Sequence, residues 1–96
     1  MFIHAVLFEI RPGQVKYYRA DSLMWARYAK KYKGFLAYFT VERLGYKNQY
    51  ASVYEWKVKS GHDKFMKELH DCLVAKSKAR VKVLGYYNLS GIDRVR

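Results

Sequence analysis

Apolar side chains along this chain gather into four short β-like stretches and two longer stretches of helical period, in the order strand, helix, strand, strand, helix, strand. Residues 2–10, rich in β-branched and aromatic side chains, form the first predicted strand, and Arg11-Pro12-Gly13 ends it. Proline there suits the first turn of a helix. Over residues 13–32, steps of 100° place Tyr17, Tyr18, Met24, Trp25, Tyr28, Ala29 and Tyr32 on one broad face. Lys16, Arg19, Arg27 and Lys30 fall on the opposite, solvated face. A lysine-rich last turn and Gly34 close this helix. Residues 35–44 read as a second strand, Gly45-Tyr46-Lys47-Asn48 as a turn, and residues 49–58 as the third strand of a hairpin. Ser60 followed by Asp63 resembles a capping box opening a second helix, whose apolar stripe is Phe65, Met66, Leu69, Cys72 and Leu73. Within that stripe Cys72 reads as a buried small hydrophobe. The pattern fades around Lys76-Ser77-Lys78, a fourth strand covers residues 80–90, and residues 91–96 form a short basic tail.

This order predicts one α+β domain over residues 1–96: a ferredoxin-like βαββαβ fold, with a four-stranded antiparallel sheet and both helices on one face. The third strand sets the functional question. Tyr50, Tyr54 and Trp56 alternate with Ala51 and Val53, so neither face is plainly polar. Two helices cover one face of such a sheet, and the other needs a second copy of the chain or a ligand.

Composition sharpens this. Of 96 residues, 51% are hydrophobic and 18% aromatic, with 10 tyrosines, which is rich for a domain of this size and favours a partner surface. A net charge of +11, from 19 Lys+Arg against 8 Asp+Glu, raises polyanions as partners, against the plainer reading of a well-solvated surface. The single cysteine, Cys72, has no partner for an internal disulfide and points to a reducing compartment. The apolar N-terminus lacks a basic leader and meets Glu9 too early for a signal peptide, and no run reaches the length of a membrane span. The expectation is a cytoplasmic protein without membrane contact.

Phosphate-binding glycine loops, Cys/His metal spacings and nucleophile elbows are absent from the sequence. His4, His62 and His70 lie on different predicted elements, so no metal site is expected. Asp21 stands out because helical phase sets it among Tyr17, Tyr28 and Tyr32. A carboxylate there is hydrogen-bonded or raised in pKa, and either state suits a general base as well as a structural acceptor. Ser22 flanks the same face. His62, within the apolar stripe of the second helix, and His70, at its edge, are candidate proton carriers near neutral pH. Trp56 with Tyr54 and Tyr50 reads as core packing or as the wall of an aromatic pocket.

The first strand followed by Arg11-Pro12-Gly13-Gln14, then the Lys33-Gly34-Phe35 step into the second strand, resembles the antibiotic biosynthesis monooxygenase family of the dimeric α+β barrel superfamily. Glu55 and Trp56 on the third strand and His70 on the following helix look like that family's pattern, and the likeness runs over nearly the whole chain. It implies a homodimer whose sheets pack face to face, with a pocket in each subunit between sheet and helices. Some members oxidise phenols or quinols with molecular oxygen and no metal or flavin, so no cofactor is expected. The protein then deprotonates the substrate, excludes water and stabilises charge. In that scheme Asp21 or His70 is the base, and Tyr17, Tyr28, Tyr54, Trp56 and His62 are candidates for the pocket around a small aromatic ligand. Heme-degrading relatives carry an Asn on the first strand and a Trp and a His on the second helix. By-eye alignment puts Val6, Glu68 and Lys78 at those places, which departs from heme breakdown.

The same element order builds RNA-recognition motifs, the rival reading. Over Asn48 to Glu55 the diagnostic third-strand pattern is matched at Tyr50, Ala51 and Val53 and fails at Asn48, Gln49, Ser52 and Glu55. Ser52 stands where a base should stack, and Glu55 adds negative charge near phosphate. A non-catalytic ligand-binding or structural dimer is the remaining alternative.

Overall fold

The computed structural model describes residues 1–95. Strand β1 (Phe2–Glu9) leads through a 3-10 turn (Pro12–Gln14) into helix α1 (Val15–Ala29). Strands β2 (Phe35–Glu42) and β3 (Gln49–Trp56) form the hairpin, and helix α2 (Lys59–Lys76) returns the chain to strand β4 (Lys82–Ser90). All neighbouring strands are antiparallel, in the order β2-β3-β1-β4. This is the ferredoxin-like α+β fold that the element order predicts.

Strand alternation divides the sheet into two surfaces. Phe2, His4 and Val6 of β1 and Ser52, Tyr54 and Trp56 of β3 are buried beneath the helices. A register shift between Phe35 and Ala37 brings Tyr38 opposite Tyr54, so it too faces the helices. Trp56, Phe65, Ala29 and Leu73 are fully buried and form the centre of the core, flanked by Met24, Trp25, Tyr28, Tyr32, Phe35 and Leu69. The other surface carries Ile3, Ala5, Ala51, Val53, Phe39, Val41, Tyr87 and Leu89 in register. Phe39, Tyr87 and Leu89 stay 42%, 49% and 53% exposed. The aromatics of β3 therefore lie under the helices and offer no open stacking platform for RNA bases.

Several local expectations need correction. Helix α1 starts later and ends earlier than residues 13–32, because Pro12–Gln14 winds as a 3-10 turn and the chain leaves the helix after Lys30. Its buried line is Tyr18, Ser22 and Ala29 with Trp25 beside them, whereas Tyr17 is exposed and carries the Lys16 ammonium 5.0 Å from its ring centroid. Strands β2 and β3 each stop two residues early, and β4 starts two residues late. No capping box forms: α2 begins at Lys59 with Val58 as its cap, and Ser60 is already helical. Asp63 instead accepts from Lys59 Nζ at 2.8 Å, an exposed i,i+4 pair that adds about 0.3 kcal/mol. Cys72 is exposed, on the outer flank of the stripe formed by Phe65, Met66, Leu69 and Leu73.

Glycine is needed where β2 and α2 start. Gly34 holds φ +87° as the chain turns from α1 into β2. At Gly61 a Cβ would lie 2.9 Å from the Lys33 carbonyl oxygen and 3.1 Å from the Trp56 ring, so the bare backbone lets α2 settle onto the sheet.

Candidate functional site

A cavity of about 370 Å³ lies between the sheet and the helices, within the range of small-molecule sites. Val6, Phe8, Trp25, Met66, Val74, Val81 and Val83 make its wall mainly apolar. Among the polar groups that interrupt that wall are one built on three hydroxyls and one on an imidazole.

The hydroxyl group centres on Ser52. Tyr18 Oη and Ser52 Oγ lie 2.7 Å apart and share a hydrogen bond, and the Tyr38 hydroxyl donates to Ser52 Oγ at 3.0 Å. Ser22 donates its own hydroxyl to the Tyr18 carbonyl oxygen at 2.8 Å and borders the same cavity. Three hydroxyls joined by two bonds keep one O–H uncommitted, and all three residues line the cavity. Burial pushes the Tyr18 hydroxyl up to about 12, against a hydrogen bond from Ser52 that pulls it down. Burial also raises Tyr38, and it raises Tyr54 well above the ordinary tyrosine range. These phenols stay protonated at neutral pH, so the cluster offers a hydrogen-bond donor to a ligand oxygen and cannot serve as a base.

The imidazole is His4, buried on β1 between Tyr54 of β3 and Asn88 of β4. Its Nδ1 lies 2.7 Å from Asn88 Oδ1. An amide oxygen only accepts, so Nδ1 is the donor, and in the neutral ring the lone pair is on Nε2. His4 lines the cavity one inward position along the sheet from Ser52, which pairs with Val6.

Behind His4 stands His62, their ring centroids 4.4 Å apart. Burial first, and the neighbouring His4 second, hold His62 down to about 4. Its buried Nδ1 has no hydrogen-bond partner. An unfolded histidine titrates near 6.5, so between pH 6.5 and about 4 the unfolded chain takes up a proton that the folded chain refuses. Stability from this residue is complete above pH 6.5 and is lost as pH falls toward 4. At about 1.4 kcal/mol per unit, discounted because the ring borders an open groove, the loss is on the order of 2 kcal/mol. Urea unfolding at pH 7.5 and 4.5 should show that extra loss in the native chain and its absence in His62→Leu.

The other predicted site residues fall in different places. Asp21 borders the cavity, but its carboxylate accepts from the Lys78 amide at 3.0 Å and from the Ala79 amide at 2.8 Å. His70 is on the rim, exposed, with Nδ1 3.1 Å from Asp71 Oδ1. Tyr54 lines the cavity. Trp56 packs behind it in the core, edge-on to Phe35, with its indole nitrogen buried and unpartnered. Tyr28 does not line the cavity; it packs against the core beside α2, where Lys76 Nζ donates to its hydroxyl at 3.3 Å. His4, His62 and His70 converge on a second groove with Asp71, yet no group of side chains suited to a metal ion occurs among the described residues.

Sequence reading missed His4, Tyr18, Tyr38 and Ser52 as a unit. His4 had a signal: it is the one polar residue in the inward row Phe2-His4-Val6. Tyr18 had another, the spacing Tyr18-Ser22-Trp25-Ala29, which keeps one helical face.

No protein-family model and no curated protein matches the chain. Solved structures do. A candidate antibiotic biosynthesis monooxygenase from Deinococcus radiodurans superposes with a TM-score of 0.79 at 13% identity, covering 100% of this chain and 97% of that one. SnoaB from Streptomyces nogalater, described as a cofactor-independent oxygenase, gives 0.75 at 9% identity over 98% and 95% of the two chains. MupZ from Pseudomonas fluorescens gives 0.75 at 13% identity over 91% of this chain and 69% of that one. Across its full length, the chain has the fold of structures named as antibiotic biosynthesis monooxygenases.

Proposed function

We propose that this chain belongs with the antibiotic biosynthesis monooxygenases in activity as well as fold, binding a phenol or quinol in the cavity and oxidising it with molecular oxygen. The observation that carries this reading is His4: an imidazole with its free nitrogen fixed by Asn88, on the wall of an apolar cavity that also holds a spare hydroxyl donor. Nε2 of His4 takes the phenolic proton, and the Tyr18–Ser52–Tyr38 cluster donates to a second ligand oxygen on which negative charge gathers. The electron-rich anion then reduces oxygen. In an anthrone-type phenol, whose keto tautomer carries a ring CH₂, one oxygen atom enters at that carbon as a carbonyl and the other leaves as water with the two hydrogens. A hydroquinone, which has no such carbon, gives the quinone while oxygen takes its two hydrogens as hydrogen peroxide. Apolar walls keep bulk water from the anion. Asp21, with its oxygens engaged by backbone amides, and His70, solvated on the rim, stand outside this proton transfer. Oxygen uptake with a panel of hydroquinones and anthrone-like phenols tests the proposal. Turnover that survives loss of both His4 and Ser52 would remove the site from the mechanism.

The outer sheet surface supports a homodimer. Phe39, Val41, Tyr87 and Leu89 form an exposed apolar row on it, of the kind that subunit interfaces cover. Light scattering on a dilution series should give twice the chain mass of 11.4 kDa, and Val53→Asp, at the middle of that surface, should give the monomer. A native chain that runs as a monomer throughout would discard this arrangement.

A further inference from the structure

The cavity wall is not uniformly held. On the sheet side it is backed by strand ladders, with one register shift between Leu7 and Phe8, whereas residues 77–81, between α2 and β4, have no regular structure. Within that segment Ser77, Ala79 and Val81 line the cavity, and Lys78 and Arg80 are exposed between them. Strand pairing of β4 begins only at Lys82, opposite Glu9.

What holds the segment in place comes from the α1 side of the cavity. The Asp21 carboxylate accepts the amides of Lys78 and Ala79, Gln14 Oε1 accepts the Arg80 amide at 2.9 Å, and Trp25 Nε1 donates to Ser77 Oγ at 3.0 Å. Three side chains thus replace a ladder. Breaking these few bonds leaves the strand ladders intact, so the segment can open without the rest of the chain unfolding.

We propose that residues 77–81 are a hinged lid through which the ligand enters and leaves the cavity, with Asp21 as its latch. The hinges are the end of α2 at Ser77 and the start of β4 at Lys82. The lid rests on the cavity being the ligand site, and on nothing about oxidation. Asp21 is on this account a positioning residue: it fixes how often the cavity opens and touches no ligand. That explains why a carboxylate occupies a helix face shared with tyrosines.

Amide hydrogen exchange followed residue by residue on the full chain tests the lid without any ligand or turnover. In the native chain, exchange at Lys78 and Ala79 should be insensitive to low urea, while amides of β1 and β3 track global unfolding. In Asp21→Ala the Lys78 and Ala79 amides should exchange at least tenfold faster with β1 and β3 unchanged. Acrylamide quenching of Trp25 should rise at least twofold, the second tryptophan, Trp56, being fully buried. Gln14→Ala, which frees only the Arg80 amide, should show the same pattern more weakly. Exchange at Lys78 and Ala79 that follows global unfolding in the native chain overturns the lid. Acceleration shared by β1 and β3, or a freed segment with no gain in acrylamide access, does so as well. Because no arm measures turnover, an inactive enzyme and a rigid wall give different results.

Discussion

Replacing His4 by alanine should lower oxidation of a phenolic substrate by two to four orders of magnitude, the usual reach of a positioned general base. The loss should fall on kcat, with KM moving only a few-fold, because the apolar walls and the Ser52 hydroxyl cluster proposed to hold the ligand are untouched. Asn88→Ala tests the same point one step removed. Without the acceptor on Nδ1 the imidazole is free to turn and to exchange tautomers, so a loss of ten- to a hundredfold is expected, smaller than for His4 itself. His70→Ala should stay within about threefold, since that ring is exposed on the rim and bonded to Asp71. Oxygen consumption under air with a hydroquinone panel reads all three. A His4→Ala enzyme as fast as the native one, or a His70→Ala enzyme that is slower than it, would move the base elsewhere.

Phe65→Ala should cost about 3–5 kcal/mol of folding stability, among the largest effects expected of a single truncation in this chain. Phe65 is fully buried where α2 meets the sheet, with the rings of Tyr32, Trp56, Tyr54 and Trp25 5.3 to 6.2 Å away. Four rigid rings cannot collapse into the vacated volume, so the loss of contact adds to the loss of apolar burial. Small domains have a net stability of roughly 5–15 kcal/mol, so the variant should unfold at much lower urea. Cys72→Ala, on the exposed side of the same helix, should change stability by no more than about 0.5 kcal/mol. Equal effects at the two positions would mean that the helix face has been misplaced.

Much of the architecture is legible in the sequence because strand and helix periods are local. Phe2 to Ile10, Phe35 to Leu44 and Gln49 to Val58 each announce a strand, and Gly34 and Gly45 mark the turns. The errors are at ends, where the 3-10 turn before α1 and the uncapped start of α2 depend on how each helix docks. The cavity was far less legible. Ser52 meets Tyr18 across 34 positions, and His4 meets Asn88 across 84, so no local motif encodes either contact. Tyrosines crowded onto one broad face of α1 also hide where its buried line runs: Tyr17 and Tyr18 are one step apart, yet one faces solvent and the other the cavity. Asp21 was conspicuous for a sound reason, as a carboxylate near aromatic rings, but the amides that engage it come from a segment 57 and 58 residues downstream.

The alternation along β1 and β3 also bears on how such a protein can change over time. Cavity-facing and outward-facing side chains are separate residues on the same strands, so substitutions at Val6, Ser52 or Tyr54 reshape the cavity while Ala5, Ala51 and Val53 stay as they are. The cavity and the outer sheet surface can then drift independently, each explored while the other is held fixed. Insertions have no such freedom. One residue added within β3 would exchange the two rows along the rest of the strand, so length in the strands should be kept far more strictly than identity.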